Sequence, residues 1–172
     1  MLSLRKNIVL IGMMGVGKTT LGKIVAKHKK LEFIDTDVVI EQKNSMTIRE
    51  IFKNKGEKFF RIEEENVILE SLKKDNCVIA LGGGAFINKI VRENILRKAI
   101  SIWLDVNIQT LSKRASRSEK RPLLTKENRS EKLNELYVKR KNIYKLANHK
   151  IECKEHGREI IAKKIIELYE KY

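Results

Sequence analysis

The chain is expected to adopt an α/β fold, a parallel sheet covered by helices on both faces. Three observations predict this. Short, mostly β-branched apolar runs alternate with segments of helical spacing along the 172 residues, the pattern of successive βα units. The first run, Ile8-Val9-Leu10-Ile11, leads directly into Gly12-Met13-Met14-Gly15-Val16-Gly17-Lys18-Thr19, which fits the phosphate-cradling pattern G-x-x-x-x-G-K-[ST]. Carboxylates and glycines then follow the second and third runs, where a parallel sheet gathers its ligands.

The elements follow in order. Ile8–Ile11 is a buried parallel strand. After the glycine loop, 20–27 has helical spacing, with Leu21, Ile24 and Val25 facing a core. Leu31–Asp35 is the second strand and ends in Asp35-Thr36-Asp37, before a helix over Val38–Lys43. Thr47-Ile48-Arg49-Glu50 has the spacing of a capping box and starts another helix, which Gly56 stops. Glu57–Lys74 is a longer helix. Cys77–Leu81 is the third strand, ended by Gly82-Gly83-Gly84, and 89–98 is helical. Ile100–Leu104 is the fourth strand and 107–115 a helix. A polar, basic stretch over 116–127 precedes a long helix over 129–147. Lys150–Cys153 is the fifth strand. A closing helix from Arg158 carries Ile160, Ile161, Ile165 and Leu168 on one face.

Composition bounds the function. A chain of this length is expected to form one domain over 1–172 with one sizeable core. No apolar stretch approaches the ~20 residues that span a bilayer, and the N-terminal residues enter the first strand without a signal-like segment. Cys77 and Cys153 show no metal-ligand spacing and are expected in strands as buried, reduced thiols of a cytoplasmic protein. The net charge of +15 raises the question of nucleic acid. Acids, however, are interleaved throughout, and no basic arm or aromatic platform is present. Solvated helix faces and an acidic small substrate fit this distribution better.

The motif residues supply the parts of phosphoryl transfer. Gly12, Gly15 and Gly17 let the backbone turn so that amides, with those of Val16 and the helix start at Thr20, point at phosphate oxygens. Lys18 would reach the β- and γ-phosphates and the Thr19 hydroxyl would ligate Mg²⁺. Asp35 can hold the metal directly or through water. Asp37, two residues on in an extended chain, would point the same way and orient or deprotonate an attacking hydroxyl; the same run also reads as a helix N-cap. The triple glycine would bring three amides close to a substrate, or be a flexible turn. Arg61 and Glu64 lie one helical turn apart; the pair reads as a surface ion pair or as an oriented fork for a substrate carboxylate. Phe52 and Phe60 read as core. Lys113, Arg114, Arg117, Lys120 and Arg121 read as a lid that supplies an arginine to the γ-phosphate, or as a solvated loop.

Together, GMMGVGKT, DTD, FRIEEE, GGG, RPLL and KRKNIY, in that order and at those intervals, resemble shikimate kinase within the nucleoside-monophosphate-kinase-like P-loop group, over nearly the whole chain. The resemblance implies a three-layer P-loop kinase fold with strand order 2-3-1-4-5, a substrate-binding section near 33–63 and a mobile lid near 112–125. It implies ATP and shikimate as substrates, Mg²⁺ as cofactor, phosphorylation of the shikimate 3-hydroxyl in aromatic amino-acid biosynthesis, and a monomer with no nucleic-acid or membrane partner. Asp37, Arg61, Gly82, Gly83, Gly84 and Arg140 then become shikimate contacts, with Phe52 and Phe60 as apolar walls and Glu64 orienting Arg61. Lys18 and Arg121 would stabilise the transferred phosphoryl group, and Arg114 would pack on adenine. Relatives often carry Ser or Thr before the triple glycine, whereas Ala80-Leu81 stands here, so the outer metal shell is built differently. A gluconate-type or nucleotide kinase, and a basic P-loop nucleic-acid-binding protein, are the competing readings.

Overall fold

β1 (Asn7–Ile11) runs through the middle of the sheet, and each of its residues is buried. A strand flanked on both sides and covered on both faces has no wet side, which is why its apolar run does not alternate. The computed structural model describes residues 7–115, 129–153 and 157–172, without the side chains of Arg114, Ala115 and Arg129. Among these residues β2 (Glu32–Asp35), β3 (Cys77–Ala80), β4 (Ala99–Asp105) and β5 (His149–Glu152) join β1 in an all-parallel sheet of order β2-β3-β1-β4-β5. Order reverses on either side of β1, and the crevice at that switch point opens beyond the carboxyl ends of β1 and β3. The Asn7 side chain fixes the opposite end: its Nδ2 donates to Lys74 O and its Oδ1 accepts from Cys77 N.

Seven helices flank the sheet among the described residues: α1 (Lys18–Lys29), α2 (Thr36–Asn44), α3 (Ile48–Ser71), α4 (Lys89–Lys98), α5 (Ile108–Ala115), α6 (Arg129–Tyr144) and α7 (Arg158–Tyr169). α1 packs beside α7, while α3 packs beside α4 and α5 beside α6. The capping box at Thr47 and Glu50 forms in both directions. Gly56 breaks α3 at φ 83°, ψ 167°, a backbone open to glycine and strained for other residues. That break lets the second half of α3 turn its Phe60 and Val67 into a small apolar cluster with Ile40 and Ile51, apart from the main core.

Four local expectations are corrected. The helix expected to reach Lys74 ends at Ser71, where Leu72 closes the core and a turn leads to Asn76 in the left-handed region. On α7, Ile161 and Ile165 are buried, but Ile160 is half exposed and Ala162 and Tyr169 take its place. Cys153 lies just past β5 rather than within it; it and Cys77 are buried and free. The Asp35-Thr36-Asp37 run is not extended throughout, because α2 begins at Thr36. Of the expected lid, only 112–115 are described, at the end of α5, and 116–125 lie outside the described residues.

Candidate active site

The phosphate loop owes its shape to glycines in backbone regions that other residues avoid: Gly12 at φ 146°, Gly15 at 80° and Gly17 at 100°. A Cβ on Gly12 would also stand 2.6 Å from the Leu104 carbonyl. Gly17 is the N-cap of α1, so the amides that open this helix have no side-chain partner from the cap. Lys18 is its first residue, buried, with Nζ donating to the carbonyls of Gly12 and Met13 at 2.8 Å each. Gly15, Val16, Gly17, Lys18, Thr19 and Thr20 line a cleft of ≈ 490 Å³, together with Asp35, Asp37, Gly83, Cys153 and Arg158. Another hollow, of ≈ 560 Å³, lies along β2 and α2; of the motif residues it meets only Thr19 and Asp35.

Asp35 and Asp37 both line the phosphate-loop cleft, but from the start of a helix rather than from an extended chain. Asp35 Oδ1 accepts from Asp37 N and Val38 N, capping α2, while its Oδ2 accepts from the Thr19 hydroxyl at 2.6 Å. Capping and pairing with Thr19 therefore coexist in one carboxylate. Among the described residues no three His, Cys, Asp or Glu side chains group as a metal cage. One hydroxyl and one carboxylate suit a hard cation that keeps its waters and takes further oxygens from a phosphate. Asp37 sits in the first turn of α2, with Oδ1 2.8 Å from where a Cβ on Gly82 would stand.

Thr36, between them, is a residue that the sequence reading missed. Fully buried, it donates from Oγ1 to Ala80 O at 3.2 Å and accepts from Gly82 N at 3.3 Å. It pins the start of α2 to the end of β3. Replacement by Val keeps the shape but strands both backbone groups. Thr36→Val should lower stability in a urea titration by about 1–3 kcal/mol, the cost of leaving buried polar groups unpaired. Thr36→Ser, which keeps the hydroxyl, should remain close to the parent.

At the triple glycine, one of the three amides expected to face a substrate is engaged within the fold. None of the three has a positive φ, and the Gly82 amide is already bonded to Thr36. What these positions supply is the absence of a side chain. A Cβ on Gly82 would lie 2.7 Å from Glu64 Oε1 and 2.8 Å from Asp37 Oδ1, and one on Gly84 would lie 2.8 Å from Arg61 Nη1. Gly83 faces Met14 N and Arg140 Nη1. The turn is therefore the surface on which Asp37, Glu64, Arg61 and Arg140 converge from three helices.

Arg61 and Glu64 are more than a surface pair. Arg61 Nη1 donates to Glu64 Oε2 at 2.7 Å, and Nη2 donates to Glu57 at 3.2 Å. The Glu64 side chain is only 4% exposed and that of Arg61 33%. Burial raises the Glu64 pKa, Arg61 counters this, and the nearby Asp37 charge raises it further. Burial works against the charge of Arg61, yet Glu64 and Glu57 together hold its pKa above the ordinary value. Phe60 lies under the guanidinium, Arg61 Cζ being 5.2 Å from the ring centroid, and Phe52 packs on Phe60 at 4.8 Å. Phe60 is buried in the small cluster; Phe52 lines its edge. Arg140, on α6, donates from Nη1 to Gly83 O at 3.2 Å.

Tyr144 is the second residue that was missed. It follows Arg140 by one helical turn and donates its hydroxyl proton to the same Gly83 carbonyl. Burial pushes its pKa up to about 12, so the phenol stays protonated. The spacing of four from Arg140 was the available signal. Arg121 and the Arg114 side chain lie outside the described residues. No helix among the described residues is long and apolar enough to cross a membrane.

The family model for shikimate kinase matches residues 14–170. The shikimate kinase of Bartonella henselae is 42% identical over 167 residues, which are 97% of this chain and 80% of that protein. The structure of shikimate kinase from Acinetobacter baumannii in complex with shikimate superposes with a TM-score of 0.93 at 36% identity, covering 96% of this chain and 93% of that one. A gluconokinase from Sinorhizobium meliloti shares the fold alone, with a TM-score of 0.62 at 11% identity. Matched along nearly its full length in both sequence and structure, the chain belongs to the shikimate kinase family.

Proposed function

We propose that the chain transfers the γ-phosphoryl group of ATP to the 3-hydroxyl of shikimate, giving shikimate 3-phosphate and ADP. One observation carries the reading: two guanidinium groups, Arg61 and Arg140, meet the triple-glycine turn beside Asp37 and against the phosphate loop. A carboxylated ring fits that arrangement, its carboxylate between the two arginines and its hydroxyls toward Asp37. Phe52 and Phe60 belong to the section, 33–63, that backs this pocket, and Glu64 keeps Arg61 oriented.

The amides of Gly15, Val16, Gly17, Lys18, Thr19 and Thr20, with Gly12 making the turn, hold the triphosphate. Lys18 exchanges its two carbonyl partners for phosphate oxygens, which concentrates positive charge where the transition state carries its negative charge. Mg²⁺, held by the Thr19 hydroxyl and the Asp35 carboxylate, would neutralise charge on the β- and γ-phosphates. Ala80-Leu81 offer no hydroxyl to its waters, so Thr19 and Asp35 are the side chains among the described residues that would serve it. The 3-hydroxyl oxygen forms a bond to the γ-phosphorus as the bond from that phosphorus to the β,γ-bridging oxygen breaks, and Asp37 accepts the hydroxyl proton. From the segment outside the described residues, Arg121 would meet the γ-phosphate, and the Arg114 side chain would pack on adenine in a lid spanning 112–125.

All of these groups lie on one chain, 1–172, which supports a monomer acting as a single domain, and ATP as donor supports a cytoplasmic site of action. The interleaved charge supports small molecules rather than nucleic acid or a membrane as partners. A coupled ADP-release assay over shikimate, gluconate and nucleoside monophosphates tests the reading. Shikimate alone should elicit release in the presence of Mg²⁺; equal release with gluconate or with a nucleotide acceptor would overturn the assignment.

A further inference from the structure

The Gly83 carbonyl is a junction. Arg140 Nη1 and the Tyr144 hydroxyl both donate to it, from positions one turn apart on α6. The same Tyr144 hydroxyl lies 3.7 Å from Met13 Sδ, within the phosphate loop. Met13 O in turn accepts from Lys18 Nζ. A continuous path of polar contacts thus joins the phosphate-facing lysine to the arginine of the acceptor pocket, and Tyr144 is its middle member. Its ring is fully buried and tilted against Trp103 at 5.9 Å. Gly83 also sits close to the loop, a Cβ there falling 3.3 Å from Met14 N.

Neither packing nor hydrogen-bond satisfaction requires this hydroxyl. Phenylalanine would fill nearly the same volume against Trp103, and Arg140 alone would leave Gly83 O with a donor. The hydroxyl adds a second, rigid tie between α6 and the turn, so the guanidinium of Arg140 does not have to serve as the sole anchor of its own helix. We infer that Tyr144 is a positioning residue that holds Arg140 and the triple-glycine turn in fixed register with the phosphate loop, keeping the acceptor and donor subsites at one spacing. The inference rests on the reading of Arg140 as an acceptor contact.

Tyr144→Phe tests it. A small misplacement between reacting groups is costly, up to about a hundredfold for ~1 Å. In this variant kcat should fall about tenfold and the shikimate KM should rise severalfold, with the ATP KM within about twofold of the parent. Loss of one buried hydrogen bond should lower Tm by only about 2–4 °C. A lowered Tm with kcat and shikimate KM within twofold of the parent would show a structural hydroxyl only and overturn the inference; so would equal increases in both KM values. Hydrogen exchange gives a readout independent of turnover. The amides of Gly82 and Ala85, bonded to Thr36 Oγ1 and Gly82 O, should exchange faster in the variant, together with those of the loop 13–17, while β4 is unchanged. If the parent releases no ADP with shikimate, the functional reading fails, and exchange then decides on Tyr144 by itself: unchanged rates at both segments sink the positioning role.

Discussion

Lys18→Met should lower kcat by at least about a hundredfold while weakening ATP binding much less. Methionine matches the length of the aliphatic stem and has no charge. The amides of the loop, shaped chiefly by the glycines at positive φ, should remain in place to meet the triphosphate. What disappears is the one buried ammonium at the start of α1, now donating to Gly12 O and Met13 O. Removing a single preorganised donor from the charge that develops in a transition state typically costs 10²–10³ in kcat, about 2.7–4 kcal/mol. The two carbonyls lose their donor as well, which costs about 1–3 kcal/mol; relief from burying an ammonium offsets part of this. Steady-state ADP release and a nucleotide-binding titration, made on the same preparation, separate the two effects. A kcat within tenfold of the parent would show that Lys18 belongs to the loop's architecture and not to the chemistry.

The sequence made some parts of this molecule legible because their physics is local. The unbroken apolar run of β1, the glycine loop at its end and the capping box at Thr47 each depend on neighbours within a few residues. Arg61 and Glu64 were legible as a pair for the same reason. Their burial was not, since it depends on the break at Gly56 and on the cluster that Phe60 forms with Ile40 and Ile51. Thr36 gave no sign of its role, and Tyr144 only its spacing from Arg140, for a related reason. Their partners, Ala80 and Gly83, lie 44 and 61 residues away in the chain, and no periodicity encodes such a meeting. The triple glycine was legible as a turn after the third strand, but the groups that close on it were not. The sequence can show that a side chain is missing; it cannot show which groups from other elements fill the space. Asp35 and Asp37 illustrate the remaining limit, that strand alternation fails within one residue once a helix begins.

Arg61→Ala should raise the shikimate KM by roughly thirtyfold or more, on the basis that truncating one partner of a buried, hydrogen-bonded charge pair costs about 2 kcal/mol or more. The ATP KM should change little, because Arg61 does not line the phosphate cleft. The same substitution has a second consequence, in the folded enzyme itself. Glu64 is nearly inaccessible and Arg61 is its closest cation. Removing one member of a buried pair costs ~3–5 kcal/mol; because Arg61 is a third exposed, a loss of about 2–3 kcal/mol is expected. Without Arg61, desolvation and the Asp37 charge act on Glu64 with only Arg140 opposing them, so its pKa rises further. A carboxyl whose pKa is higher folded than unfolded keeps a proton that the unfolded chain has released. Stability therefore declines as pH rises from the ordinary carboxylate range through the raised folded value, and levels off above it. Urea titrations of Arg61→Ala at acidic and neutral pH should show that decline, more steeply than in the parent. Adding Glu64→Gln should flatten the pH dependence and recover stability without restoring the shikimate KM, since the fork for the carboxylate is still missing. If Arg61→Ala keeps its shikimate KM within threefold of the parent, the pair is structural, and the carboxylate of the acceptor is held elsewhere.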